Sequence, residues 1–231
     1  MAALHNLNYK QIRHSVLNNS MLKPLVFICL TSIPAVVAAN TTPFQHVKNA
    51  VFWQQLYTEK HHTLYCAMSN NTSQDVTVGH VYPMAWMANA MNCPSENQCE
   101  YARYKEASAD LHNLWPVAEK SLQLRQHYLF IESDKNSGEA SYCNFTIFDK
   151  GIEPREFAKG EIARSILYLI WQYQLPDYGQ LPLMLKWHKR YRPNAEETWR
   201  NERIMAIQGK ENPFITNPGF ADEVFSAVTD Q

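Results

Sequence analysis

The chain has 231 residues, 45% of them apolar and 12% aromatic, with 21 basic residues against 22 acidic ones and a net charge of −1. That near-balance excludes a strongly basic surface overall, so a nucleic-acid partner requires a local basic patch. The apolar content can bury one sizeable core, and with no internal repeat and no low-complexity tract the simplest organisation is a single folded domain.

Lys10, Arg13 and Lys23 precede an apolar run that begins at Pro24-Leu25-Val26 and continues to Ala39, with no acidic residue before Asn40. Basic residues, then an apolar stretch, then the small residues Val37, Ala38 and Ala39 form the pattern of an export signal. Thr31, Ser32 and Pro34 interrupt the run, which is too short for an ordinary spanning helix. Residues 1–39 therefore read as a signal peptide, with Met21 as an alternative start. Residues 40–231 read as a secreted or periplasmic domain, monomeric and free of the membrane after cleavage. Cleavage removes three basic residues and no acidic one, which leaves an excess of about four acids. It also removes Cys29 and leaves Cys66, Cys93, Cys99 and Cys143. An even number in an oxidising compartment fits two disulfides in any of three connectivities, with zinc as the rival use.

Within the mature chain, residues 41–57 read as a first helix with Phe44, Val47, Val51 and Leu56 on an apolar side. Residues 63–66 and 75–78 are short strand candidates, separated by a polar loop over 69–74, and the second leads into His80. Residues 93–99 form a surface loop that a disulfide can pin. Residues 100–111 have helical character, and 143–148 alternate as a strand does. Helical spacing then takes over at 159–173, 181–187 and 196–208. The sum is α+β, mainly helical, with a small sheet.

His80 follows a β-like segment through Gly79 and precedes a turn limited by Pro83. An imidazole at such a junction is held by its flanks, can face a cleft, and titrates near neutrality, which suits a general base that activates water. A histidine beside apolar residues is also commonly just packed, so the weight rests on the remaining motifs. These are Thr63-Leu64-Tyr65-Cys66, then Asp110 with His112, Asn113, Leu114 and Pro116, then Glu153-Pro154. Ala158-Lys159-Gly160 with Ile162-Ala163-Arg164 follows, then Asn201-Glu202-Arg203-Ile204, Ile207-Gln208-Gly209 and Asn212-Pro213-Phe214.

In order and spacing this set resembles the bacterial endonuclease I family, secreted or periplasmic nucleases with a ββα-metal active site, over nearly all of the mature chain. The resemblance implies a mainly helical single domain with a small antiparallel sheet. It also implies phosphodiester hydrolysis in DNA, and in RNA as a further substrate, with little sequence specificity. His80 would activate water while one divalent cation, magnesium in that family, stabilises the transition state.

Two positions depart from the family pattern. Gly79 stands where the family has a metal-binding glutamate, and His127 stands where it has a metal-binding asparagine, with Arg125 at the arginine position. One expectation is a rebuilt site in which His127, helped by His112, Glu119 or Asp75, binds zinc, nickel or manganese, metals that accept imidazole more readily than magnesium does. The other is a nuclease-fold protein with weakened or lost catalysis that serves as a nucleic-acid or protein binding module.

Arg125 is a candidate phosphate contact through its fork of donors. Lys186, Lys189 and Arg190, with Arg192, form the local basic cluster that could face phosphates, a solvated helix surface being the competing reading. For His112 and Asn113 a hydrogen-bonding structural role competes with metal ligation, and Arg164 is as well explained by an anchor inside its helix.

Overall fold

The computed structural model describes residues 42–59, 61–69, 75–133, 140–143 and 145–229. The signal-peptide expectation for residues 1–39 lies outside them, as do Thr41, residues 70–74 of the expected loop and Asn144 of the expected strand. No described helix is long and apolar enough to cross a membrane.

The chain enters through α1 (Pro43–His46), capped by Thr42 and continued by a π-helical stretch, Val47–Leu56. β1 (Val76–His80) pairs antiparallel with β2 (Leu114–Ala118) in the register Val76↔Ala118 to His80↔Leu114. Between them lie α2 (Met84–Ala90), α3 (Ala102–Ala109) and a 3-10 turn, Leu111–Asn113. β2 runs directly into α4 (Glu119–Arg125). A three-stranded antiparallel sheet follows, β3 (Ala140–Tyr142), β4 (Phe145–Phe148) and β5 (Gly151–Glu153). The rest is helical: α5 (Glu156–Tyr173), α6 (Leu181–Arg190), α7 (Ala195–Gln208), α8 (Pro213–Thr216) and α9 (Phe220–Thr229). The fold is α+β and mainly helical, with a ββα unit in β1, β2 and α4.

Successive strand residues point to opposite faces, so the β1–β2 ladder separates two apolar clusters. Val78 and Leu114 join Phe52, Leu56, Tyr57, Leu111 and Ile204 on one side. Trp115 and Val117 join the larger cluster around α5 and α6 on the other. Helix α5 is central: every residue from Ala158 to Leu169 is buried.

Glycine at position 160 permits that packing, because a Cβ there would lie 2.7 Å from the Tyr191 carbonyl oxygen and 2.6 Å from Arg164 Nη2. Arg164 instead donates to that carbonyl through Nη1 (2.6 Å) and to both oxygens of Glu197 through Nε and Nη2 (2.6 Å each). Arg164 and Glu197 are almost wholly enclosed, so the bidentate geometry offsets their desolvation.

Two expectations are corrected. Residues 63–66 form a turn, not a strand: the Thr63 carbonyl accepts from Ala67 N (2.8 Å), its hydroxyl accepts from Met68 N (3.0 Å), and Ala67 has φ 53°. Local hydrogen bonds from a threonine can replace a ladder in this way. The 143–148 strand begins at Phe145, because Cys143 (φ 55°) turns the chain between β3 and β4. Cys66–Cys143 and Cys93–Cys99 are disulfides, which selects one of the three connectivities and leaves no thiolate for zinc among the described residues.

Candidate active site

The ββα unit brings three stretches to one corner. β1 delivers His80 at its last position, opposite Leu114. α4 folds back along the β1–β2 pair until Arg125 Nη2 donates to the Val81 carbonyl (3.0 Å), which fastens the last helical turn beside the end of β1. Gln126 then takes φ 45°, and the following turn exposes His127, whose carbonyl accepts from Trp86 Nε1 (3.1 Å). The turn after His80 is held by Asn113. Its Oδ1 accepts from Tyr82 N (2.7 Å), its Nδ2 donates to Tyr82 O (2.9 Å), and its carbonyl accepts from Val81 N (3.0 Å).

The half-buried His80 ring lies against Phe44, with centroids 4.5 Å apart, and its Nε2 is 2.8 Å from the Ser108 carbonyl. A carbonyl only accepts, so Nε2 carries the hydrogen and the neutral ring keeps its lone pair on Nδ1. Burial pushes the pKa down to about 4, against an upward pull from the Ser108 bond. The ring is therefore neutral at pH 7 and has an acceptor nitrogen, but it is a weak base at that pH.

Beside it, Gly79 contributes no side chain, and the space a side chain would enter is filled. A Cβ at Gly79 would lie 2.7 Å from Val117 Cγ2, 3.0 Å from Val117 Cγ1 and 3.4 Å from Leu122 Cδ1. Val117 shares this face of the ladder, two positions along β2 from Trp115, the partner of Gly79, and Leu122 descends on it from α4. No group of three His, Cys, Asp or Glu residues able to hold a metal occurs among the described residues. A hard divalent cation takes several oxygen donors, and a corner formed by the half-buried His80 imidazole, the exposed His127 and the apolar Val117 and Leu122 does not fit it.

The other candidate ligands are dispersed. Asp75 and Glu119 lie just beyond the Val76↔Ala118 end of the ladder, joined by a Glu119 N to Asp75 O bond of 2.8 Å. At roughly 3.3 Å per strand residue that is about 16 Å from His80, too far to share an ion with it. His112 is fully buried, with Nε2 3.0 Å from the Lys210 carbonyl and its ring 4.5 Å from that of Tyr168; burial pushes its pKa down to about 4.

The basic candidates are engaged within the protein. Arg125 is 1% exposed, stacks 4.5 Å over Phe130 and donates to two backbone carbonyls, Val81 and Gln126. Lys186 pairs with Glu132, Lys189 with Asp222 (2.8 Å), and Arg190 stands 3.9 Å from Glu156. The residues that shape the corner and were not singled out from sequence are Ser108, Val117 and Leu122, while Phe44 was named only on the apolar side of the first helix. None carries a sequence signal for the corner: Val117 meets Gly79 only through the β1–β2 pairing, which joins residues far apart in the chain.

The sequence pattern of the family described as Endonuclease I matches residues 33–219. The chain belongs to the endonuclease I family. Among curated relatives, the protein named Endonuclease-1 from Buchnera aphidicola subsp. Baizongia pistaciae is 27% identical over 155 residues, 63% of either chain. An Extracellular deoxyribonuclease of Aeromonas hydrophila is 25% identical over 228 residues, 84% of this chain and 98% of its own. An Extracellular ribonuclease of Bacillus amyloliquefaciens is 28% identical over 136 residues, 50% of this chain and 46% of its own. The chain spans just under two thirds of the length of the first of these relatives. In this endonuclease I family member, the shared scaffold thus surrounds a ββα corner lined by apolar side chains.

Proposed function

We propose that this protein is an exported, nucleic-acid-binding member of the endonuclease I family in which metal-dependent strand cleavage is lost or strongly weakened. The observation that carries the reading is the filled space at Gly79. The position that would supply a carboxylate has no side chain, and Val117 and Leu122 stand against the place its Cβ would take. The depressed proton affinity of His80 supports it. Relatives named as deoxyribonucleases and ribonucleases support a phosphodiester polymer, DNA or RNA, as the ligand. Carboxylates beside Lys186, Lys189 and Arg190 reduce the local positive charge, so binding should be weak and its salt slope shallow.

A second reading is a metal-dependent endonuclease with a rebuilt ligand set, in which His127 takes a borderline metal. One observation favours it: the Ser108 carbonyl fixes His80 in the tautomer that a general base requires. Supercoiled-plasmid cleavage by the folded, disulfide-bonded protein in magnesium, manganese, zinc, nickel or EDTA separates the two. The first reading expects no cutting above His80→Ala in any metal, together with salt-sensitive retention of labelled DNA or RNA. Metal-dependent cutting that His80→Ala abolishes would establish the second.

A further inference from the structure

Where α5 begins, a cavity of about 190 Å³ opens to the surface, and His62, Arg155, Phe157, Glu161, Asn194 and Glu196 are among its lining residues. Its walls are fixed by hydrogen bonds: Arg155 Nε donates to the Leu64 carbonyl (3.0 Å), and Asn194 Oδ1 accepts from Glu197 N (2.8 Å). His62 Nδ1 is 3.5 Å from Glu196 Oε2 at the rim, where both side chains are about half exposed.

Glu161 is only 9% exposed, and within the described residues its carboxylate accepts a single long hydrogen bond. Oε1 accepts one long bond from Asn194 Nδ2 (3.3 Å), and Oε2 has no hydrogen-bond partner among the described residues. The nearby Arg164 does not serve it, because its fork is closed on Glu197. Burial, reinforced by the charge of Glu197, pushes the Glu161 carboxyl up to about 7, with Arg155 acting in the opposite direction. A carboxylate held this way stands to gain from a cationic hydrogen-bond donor. Beside it, Phe157 is 82% exposed, an open aromatic of the kind that anchors protein interfaces.

We propose that this surface docks a protein segment that places an arginine or lysine side chain against Glu161 and rests an apolar side chain on Phe157. Arg155 is the one arginine among the described residues of this lining and is tied to the Leu64 carbonyl through Nε, while the two carboxyl groups of Glu161 and Glu196 disfavour phosphates, so the occupant is a basic-apolar protein segment and not a nucleic acid. The inference is independent of the reading of the His80 corner.

The test is an NMR titration of the ¹⁵N-labelled protein with two probes, acetyl-Phe-Arg-amide and acetyl-Phe-Glu-amide. The Phe-Arg probe should give saturable shifts centred on Phe157, Glu161, Asn194 and Glu196, and the Phe-Glu probe none. Glu161→Gln should weaken the Phe-Arg probe about tenfold or more with the spectrum otherwise preserved, and the exposed Glu196→Gln should weaken it less. Phe157→Ala should remove the contribution of the aromatic group. Absence of saturable shifts, shifts centred elsewhere, or equal affinity in wild type, Glu161→Gln and Glu196→Gln would overturn the proposal. Displacement of the Phe-Arg probe by single-stranded DNA acting at these same residues would also overturn it.

Discussion

The α5–α7 scaffold and the ββα corner carry motif residues of the same family, but the two regions are built differently. In the scaffold the buried motif groups Arg164 and Asn212 have partners: Arg164 is forked on Glu197, and Asn212 donates to the Arg164 carbonyl (3.0 Å) and caps Phe214 N (3.0 Å). At the corner, Gly79 faces Val117 and Leu122, and His80 is closed in by Phe44. On the proposed reading, folding depends on the first region and the family's metal chemistry on the second, so a chain can keep the fold while apolar packing takes the place of an ion.

The largest effect is expected in the scaffold. Arg164→Leu leaves the Glu197 carboxylate buried and unpaired, which should destabilise the protein by about 3–5 kcal/mol in urea unfolding. A loss below about 1 kcal/mol would mean that the scaffold is no more specified than the corner. At the corner, Gly79→Glu forces a side chain into Val117, and overpacking of this kind costs about 1–3 kcal/mol. Adding Val117→Ala and Leu122→Ala should relieve the clash, so the triple variant should recover part of the lost stability and gain affinity for manganese or magnesium by calorimetry. If Gly79→Glu alone is as stable as wild type, the corner has free room and the contrast fails.

Acid sharpens the comparison. His112, held near pKa 4 when folded against an unfolded value of about 6.5, binds fewer protons in the native state. Stability therefore rises with pH from about 4 to 6.5, by about 3 kcal/mol for this one buried group. Glu161 runs the other way. Its raised pKa of about 7 means that the native state holds its proton longer, so its contribution falls as pH rises from about 4.5 to 7. Denaturant midpoints across this range should steepen in Glu161→Gln and flatten in His112→Gln; unchanged profiles would reject both assignments. The smallest effect concerns the cap on His80: Phe44→Ala should raise the His80 pKa, read by ¹³C NMR, because burial is the main cause of its depression.

Much of the fold was legible because period and motif spacing agreed. The apolar spacing through Ile162, Ile166 and Leu169 announced α5, although the helix begins earlier, at Glu156. The turn at residues 63–66 was not legible, since apolar and β-branched residues suit a strand equally well; local bonds to Thr63 close it, and Leu64 N donating to the Pro116 carbonyl (2.8 Å) and the Cys66–Cys143 bridge hold it from distant parts of the chain. β2 was hidden in the same way, because its pairing with β1 joins residues far apart in sequence. At the site, the glycine before His80 was visible, but what fills its space was not. The role of Arg125, set by two backbone carbonyls and an aromatic ring, likewise depends on distances that sequence does not carry.

The most direct test of the filled corner is manganese-induced line broadening in ¹H–¹⁵N spectra of the wild-type protein, which reports where a paramagnetic divalent ion resides without requiring turnover. A corner packed with Val117 and Leu122 predicts no selective broadening of the Gly79, His80, Leu122 and His127 signals at manganese concentrations that broaden only exposed carboxylate surfaces. Selective, saturable loss of those four signals, reversed by EDTA, would contradict it and would show that a divalent cation still occupies the ββα site.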